Sequence, residues 1–171
     1  MSHALQRLAA RLDVQDAVSR LFWYVDECAW AQLAEVFTEQ IRVDYTSLFG
    51  GEAELVTAAE QARRWSEQLG ALTSTQHIVT SVLSRIEGDE ALCTANVTGH
   101  LRRDDAVGGP LWRNGGTYSL SLRQVDGRWR VSGLRAHLRW SEGNPAVLSR
   151  TDELRNGSGP AVEMAGPDPG P

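Results

Sequence analysis

Apolar residues in the N-terminal part of the chain recur at intervals of three and four. This spacing predicts one long or two abutting amphipathic helices over residues 4–26. The apolar positions of this stretch are Leu5, Leu8, Leu12, Ala17, Val18, Leu21, Phe22 and Val25. The pattern continues in a second, short helix whose apolar positions are Trp30, Leu33, Val36 and Phe37.

A change of period follows the second helix. Ile41, Val43 and Tyr45 alternate with polar residues, which is typical of a half-buried strand, before Gly50-Gly51 breaks the chain. Residues 53–69 have a helical composition again. Four long strands are predicted after that helix, over residues 75–86, 91–103, 112–125 and 129–140.

The order of these elements indicates the fold class. Asp126-Gly127 lies between two strand patterns and is a strong hairpin signal. Helices followed by an antiparallel meander predict an α+β fold in which the helices cover one face of a curved sheet. Glycines within the strands are candidate positions for the bulges that would curve it, namely Gly99, Gly115, Gly116 and Gly133.

The C-terminal residues differ in composition from the rest. Residues 1–144 are predicted to form one domain, and residues 145–171 are rich in Gly and Pro and sparse in apolar residues. We expect this tail to be disordered or a loose cover, and to be mobile without ligand.

The net charge and the residue usage argue against several classes of function. All 17 basic residues among the 171 are arginine, so the chain has no lysine for a Schiff base, a lysine-linked pyridoxal phosphate or a P-loop. A net charge of −5 makes nucleic acid and anionic membrane poor partners and favours a small organic ligand. Neither a membrane-spanning apolar run nor a signal-peptide pattern is visible, so we expect a cytoplasmic protein.

Two cysteines lack the spacing of a metal site or a redox pair. Cys28 and Cys93 are therefore expected to be small core residues rather than a disulfide or a nucleophile.

Three residues are candidates for acid–base chemistry. Asp26 interrupts the apolar stripe of the first helix where it ends, although a helix-end carboxylate can also face water or cap the next helix. His77 lies on a strand with apolar residues on both faces, where a hydrogen-bonded core role is the alternative to catalysis. His100 lies on the next strand, at nearly the same distance from the turn at Gly88-Asp89.

That similar distance places the two histidines near the same rung of a hairpin. If both imidazoles face the concavity and Asp26 reaches it, the carboxylate could orient His77 as a general base. His100, Tyr45 or Tyr118 could then donate a proton or a hydrogen bond. A two-histidine, one-carboxylate metal site is the competing interpretation, but the spacing matches no recognised ligand pattern.

Several segments resemble a known family. They are the stretch from Tyr24 to Leu33, Ile41-Arg-Val-Asp-Tyr45, Thr75-Gln-His77, the stretch from Asp126 to Val131, and Leu138-Arg-Trp140. Over about residues 5–144 the chain resembles the SnoaL-like branch of the nuclear transport factor two superfamily. Its motifs are most similar to those of scytalone dehydratases and related dehydratases and dehydrochlorinases.

The resemblance implies a cone-shaped α+β barrel with a deep pocket, no cofactor, and a homodimer or homotrimer. Asp26 and His77 match the family's carboxylate–histidine dyad, His100 matches a second pocket histidine, and Tyr45 matches a tyrosine that binds substrate or water. Departures occur at Val25, where scytalone dehydratase has a tyrosine, and at Gly116 and Tyr118, which replace a pocket serine and asparagine.

The resemblance, together with these residues, predicts a function. We expect a cofactor-independent lyase that dehydrates a small cyclic or polyketide-like substrate through Asp26, His77 and His100. The expected substrate-binding residues are Tyr45, Tyr118, Tyr24, Trp65 and Trp140. The alternatives are a natural-product cyclase or isomerase that uses the same pocket, and a non-catalytic ligand-binding or dimerisation module.

Overall fold

The helices lie on one side of the fold, as the sequence predicts. The structure is a computed structural model that describes residues 3–149. The helices are α1 (His3–Asp26), α2 (Trp30–Val36), α3 (Thr46–Phe49), α4 (Ala58–Leu69) and a closing 3₁₀ helix (Pro145–Leu148). The long first helix confirms the continuous three-and-four spacing of its apolar residues. Within residues 3–149, no helix is long and apolar enough to cross a membrane.

The six strands form one sheet in the order β2-β1-β6-β5-β4-β3. They are β1 (Phe37–Asp44), β2 (Glu54–Thr57), β3 (Ser74–Glu87), β4 (Glu90–Arg102), β5 (Leu111–Val125) and β6 (Arg128–Gly143). The pairing of β1 with β6 is parallel and all others are antiparallel. This arrangement confirms the predicted α+β class with a mostly antiparallel sheet packed on N-terminal helices, and it matches the cone fold that the resemblance implies.

The segment between β1 and α4 differs from the sequence-based expectation. The strand pattern through Tyr45 ends at Asp44, and Val56, predicted to be helical, lies in β2 opposite Ile41. The helix begins only at Ala58 because the Thr57 hydroxyl accepts a hydrogen bond from the Glu60 backbone N–H at 3.1 Å. This Thr-x-x-Glu pattern is a helix-start signal that the apolar periodicity alone does not reveal.

The core lies between the helices and the inner face of the sheet. Its fully buried members come from helices and strands alike and include Leu21, Leu33, Phe37, Ile41, Leu120 and Val131. Burial of such side chains contributes about 1.5–3 kcal/mol each. The inner face of the sheet therefore holds the helices in place, and residues on that face can contribute to a cavity between the two layers.

A bulge in β3 changes which residues of that strand face inward. Near the turn, Ser84 pairs with Cys93, but beyond a shift between Thr80 and Leu83, His77 pairs with Gly99. Ser81 at the shift has φ of 53°, in the left-handed region. One extra residue reverses the inward and outward alternation of a strand. His77 faces inward because of this bulge, which occurs at a serine. Register shifts between β5 and β6 do occur at the predicted Gly115-Gly116 and next to Gly133.

Residues 145–149 pack against the rest of the fold. The 3₁₀ helix buries Val147 against Leu101 and Trp112, and the buried Arg103 guanidinium donates to the Ser149 carbonyl oxygen. This differs from the loose cover or disorder predicted for residues 145–149. The remainder of the predicted tail lies outside the described residues.

The bulge predicts a position-specific effect on stability. Ser81→Val should lower the free energy of unfolding by about 1–2 kcal/mol, because a β-branched side chain disfavours the left-handed conformation. Ser81→Gly should not lower it. Urea denaturation measures both, with Thr80→Val as the matched control on ordinary extended backbone. Equal effects of valine at the two positions would contradict a specific strain at Ser81.

Candidate active site

One carboxylate joins the end of α1 to β3. The Nδ1 of His77 lies 2.6 Å from Oδ1 of Asp26, and the His77 backbone N–H donates to Oδ2 at 2.7 Å. The two side chains are only 14% and 17% exposed. Both oxygens of Asp26 are therefore occupied by one residue, which fixes both the backbone and the ring of His77.

The geometry determines which ring nitrogen is free. A carboxylate only accepts hydrogen bonds, so Nδ1 of His77 is assigned as the protonated nitrogen. Nε2 then carries the lone pair of the neutral ring. His77 contributes to the wall of a cavity, whereas Asp26 lies behind it. The pair therefore has the arrangement of a general base and the group that orients it.

The position of Asp26 depends on how α1 ends. The Cys28 backbone N–H donates to the carbonyl of Val25 and that of Ala29 to the carbonyl of Tyr24. These bonds form a Schellman motif with Cys28 at φ 52°. The expectation that Cys28 is a core residue is wrong, because this turn leaves it exposed, whereas Cys93 is buried as predicted.

The cavity is small and mostly apolar. Its volume is about 80 Å³, and its walls come from α1, α3, α4, three strands and Leu148 of the 3₁₀ helix. The polar side chains that line it are His77, Tyr45, Tyr118, Trp65, Gln68 and Asn114. An apolar cavity with a few polar groups is typical of a small-molecule site.

A larger open groove of about 740 Å³ lies on the outer face of the sheet. Arginine and serine side chains contribute much of its lining, which includes Arg42, Arg123 and Ser119. It lacks the oriented histidine that the small cavity has, so the small cavity is the candidate active site.

Asp44 fixes the turn that directs Tyr45 into the cavity. Its Oδ1 accepts from the Thr46 hydroxyl at 2.7 Å and its Oδ2 from the Arg135 Nε at 2.6 Å. The Thr46 hydroxyl and then the Arg135 guanidinium hold the pKa of Asp44 below its ordinary value. Tyr45 follows directly, and its ring centroid lies 6.4 Å from that of Trp65.

Two tyrosines supply neutral hydroxyls to the cavity. Burial raises the pKa of Tyr118 to about 12, and burial followed by the neighbouring Tyr118 raises that of Tyr45 well above its ordinary value. The ring of Phe22 packs near both groups, with its centroid 5.3 Å from that of Tyr118 and 5.4 Å from that of His77. Tyr118 is thus a protonated donor whose ring packs against the same phenylalanine as the His77 imidazole.

His100 does not line this cavity, so the condition that both imidazoles face it is not met, and the expectation that His100 acts with His77 in one site is wrong. A ladder without a bulge would place His77 opposite His100, but the shift at Ser81 pairs His77 with Gly99 and His100 with Gln76. His100 therefore lies on the outer face, in phase with the exposed residues of β4. Within residues 3–149, no group of three or more His, Cys, Asp or Glu residues is placed to hold a metal ion.

Two predicted substrate-binding residues lie outside the cavity. Tyr24 packs against the core without lining the cavity. Trp140 is 47% exposed and pairs with Gly115, whose missing Cβ leaves room for the Trp140 indole on the outer face. The indole occupies space that any side chain at Gly115 would fill, so the position of Trp140 reflects sheet packing.

Asn114 is a cavity residue that the sequence analysis missed. It shares the inward face of β5 with Trp112 and Tyr118. The even-numbered spacing of these three residues is the signal that could have identified it. Phe22 also lines the cavity. It was not identified because an apolar residue in the apolar stripe of α1 is indistinguishable from an ordinary core residue.

The raised tyrosine pKa has a consequence for stability. Burial raises the pKa of Tyr118 from the ordinary 10.0 to about 12 in the folded chain. The contribution of its protonated hydroxyl to the free energy of unfolding is therefore complete below pH 10 and is lost as the pH rises towards 12. The free energy of unfolding should therefore fall over this range, and less steeply in Tyr118→Phe. Urea denaturation at several alkaline pH values measures the slopes. Identical slopes in the two proteins would contradict a buried, protonated Tyr118.

Comparisons with known proteins agree with this architecture. The family model described as a SnoaL-like domain matches residues 6–135. Among solved structures, the Kfla4162 protein of Kribbella flavida is similar with 22% identity and a TM-score of 0.75, over 81% of this chain and 95% of that one. No curated protein matches the chain significantly.

Two further similar structures bear the names of enzymes. A candidate scytalone dehydratase of Novosphingobium aromaticivorans has 14% identity and a TM-score of 0.71, over 81% of this chain and 89% of that one. The hexachlorocyclohexane dehydrochlorinase LinA-type3 of Novosphingobium barchaimii has 17% identity and a TM-score of 0.69, over 83% of this chain and 94% of that one. At these identities the structural likeness shows the fold alone, whereas the family model covers most of the sequence. The chain therefore belongs to the SnoaL-like domain family, within the nuclear transport factor two-like superfamily.

Proposed function

We propose that the chain is a cofactor-independent lyase that removes water from a small cyclic or polyketide-like substrate. The observation that carries the proposal is the 2.6 Å contact between Asp26 and His77 at the wall of a mostly apolar cavity. An imidazole held in this way is suited to take a proton from a carbon next to a carbonyl. Apolar walls strengthen the electrostatic interactions of such a site.

The proposed reaction begins at Nε2 of His77. The substrate C–H bond breaks, its proton moves to Nε2, and its electron pair gives an enolate with the charge on the carbonyl oxygen. When the carbonyl re-forms, a C=C double bond forms and the neighbouring C–O bond breaks. The hydroxyl group takes a proton and leaves as water.

Other residues take supporting roles in this proposal. Tyr45 or Tyr118 is protonated at neutral pH and donates a proton to the departing hydroxyl or a hydrogen bond to the carbonyl oxygen. The proton on Nε2 replaces the one that a tyrosine gives up, so the site returns to its starting state. Asp26 does not line the cavity and is a positioning residue that stabilises the imidazolium.

The names of the similar structures support an elimination. A dehydratase and a dehydrochlorinase both remove a small molecule across a carbon–carbon bond. Both names denote an elimination, which is the class of reaction proposed here.

The proposal predicts the effect of changing the pair. His77→Ala and Asp26→Asn should each lower turnover by about 10²- to 10⁴-fold, because the base or its orientation is lost. The measurement is the rate of product formation from a panel of cyclic β-hydroxy ketones, followed by mass spectrometry. Retention of full turnover by both folded variants would refute the assignment.

A second histidine provides a matched control. His100→Gln changes an imidazole on the outer face and should leave turnover unchanged. Loss of the mass of one water from the product supports dehydration. A product of unchanged mass would instead indicate a cyclase or isomerase that uses the same base.

A further inference from the structure

Three residues of neighbouring strands form one rung of the cavity wall. His77 of β3 pairs with Gly99 of β4, and Gly99 pairs with Asn114 of β5. Neighbouring strands lie about 4.8 Å apart, so the Cα atoms of His77 and Asn114 are roughly 10 Å apart. Both side chains line the cavity. A glycine therefore lies between the proposed base and a carboxamide.

Gly99 leaves space that the Asn114 side chain uses. A Cβ atom at Gly99 would lie 3.2 Å from Nδ2 and 3.3 Å from Oδ1 of Asn114, and 3.4 Å from Cδ1 of Leu101. These distances are too short for an undisturbed contact. The amide thus lies over Gly99, on the side of β5 that faces His77.

The Asn114 amide has unused hydrogen-bonding capacity. Its side chain is partly buried, and within residues 3–149 it forms no hydrogen bond with another protein group. A carboxamide offers two donors and one acceptor, and leaving them unpaired in an apolar site is unfavourable. Its neighbours at the cavity wall include Leu101 and Trp112. The amide is therefore free to form hydrogen bonds with a molecule that enters the cavity.

We propose that Asn114 binds the carbonyl oxygen of the substrate, and that Gly99 gives it the room to do so. The proposal rests on the function proposed above. With Nδ2–H donating to the oxygen, the carbonyl lies between Asn114 and His77, and the carbon next to it lies towards Nε2. The negative charge that develops on the enolate oxygen is then stabilised by the same N–H.

This assignment separates the roles of the polar groups. Asn114 takes the carbonyl oxygen, which leaves Tyr45 and Tyr118 for the departing hydroxyl. The site would thus select small ketones that carry a hydroxyl on the side of the ring facing the tyrosines. An apolar molecule of the same shape would lose the hydrogen bond and leave the amide unpaired.

Two probes of matched shape test the proposal without knowledge of the natural substrate. Cyclohexanone has the carbonyl oxygen, and methylenecyclohexane has a CH₂ group in its place. Dissociation constants for both are measured by NMR titration of the folded protein. The unmodified protein should bind cyclohexanone more tightly.

Asn114→Leu should weaken cyclohexanone binding by about two- to tenfold, the effect of one hydrogen bond. It should leave methylenecyclohexane binding unchanged or stronger. Gly99→Ala should weaken cyclohexanone binding in the same direction by displacing the amide, and its backbone is outside the left-handed region. These two variants alter the same amide in independent ways, so the test does not depend on either one alone.

Gly133→Ala is the matched control. A Cβ there would meet its neighbours at ordinary distances of 3.5 Å or more, and Gly133 is outside the cavity lining. This variant should change neither affinity. Equal binding of the two probes by the unmodified protein, or equal loss of both in Asn114→Leu, would overturn the proposal.

The same titration in His77→Ala separates this inference from the proposed function. The preference for cyclohexanone should persist there, because the hydrogen bond needs no base. If His77→Ala retains full turnover while Asn114→Leu abolishes the preference, the lyase proposal fails and the binding assignment stands. If turnover needs His77 but the preference is unaffected by Asn114→Leu, the binding assignment fails alone.

Discussion

The hydrogen bonds between Asp26 and His77 hold together the parts of the molecule on which the cavity depends. One carboxylate at the end of α1 accepts from both the ring and the backbone of a residue in β3. Hydrogen bonds to charged groups contribute about 1.5–3 kcal/mol each to stability. The contact therefore attaches α1 to β3, an edge strand of the sheet, and it also determines the orientation of the imidazole.

Strand register decides which side chains share the cavity with that imidazole. The bulge at Ser81 turns His77 inward and places Gly99 opposite it, and the regular pairing of β4 with β5 adds Asn114 to the same rung. A one-residue difference in register would expose His77 on the outer face instead. The chemistry of the site thus depends on backbone geometry as much as on residue type.

Much of the fold follows from the sequence, because long amphipathic periods and the Asp126-Gly127 turn report directly on local structure. The missed elements, α3 and β2, are four residues each, too short for a period to be visible. Asp26 and His77 could be proposed because a carboxylate at the end of an apolar stripe requires a reason. Tyr45, Tyr118 and Trp65, which the sequence suggests as substrate-binding residues, also line the cavity.

The expectation that His100 lies opposite His77 is wrong for a specific physical reason. Counting residues from the turn assumes an unbroken ladder, and a bulge that involves no glycine leaves no visible mark in the pattern. Asn114 was missed for a related reason, since its place beside His77 depends on two successive strand pairings. Local periodicity indicates which face a residue occupies, whereas register decides which residues meet on that face.

The most direct test of the account is the protonation state of the His77 ring in the free protein. Long-range ¹⁵N–¹H NMR of histidine-labelled protein, with His77 assigned from the His77→Ala variant, distinguishes the two neutral tautomers. The hydrogen bond between His77 and Asp26 predicts a proton on Nδ1 and a bare Nε2 when the ring is neutral, and loss of that preference in Asp26→Asn. A neutral ring protonated on Nε2 in the unmodified protein would contradict the role of His77 as the base.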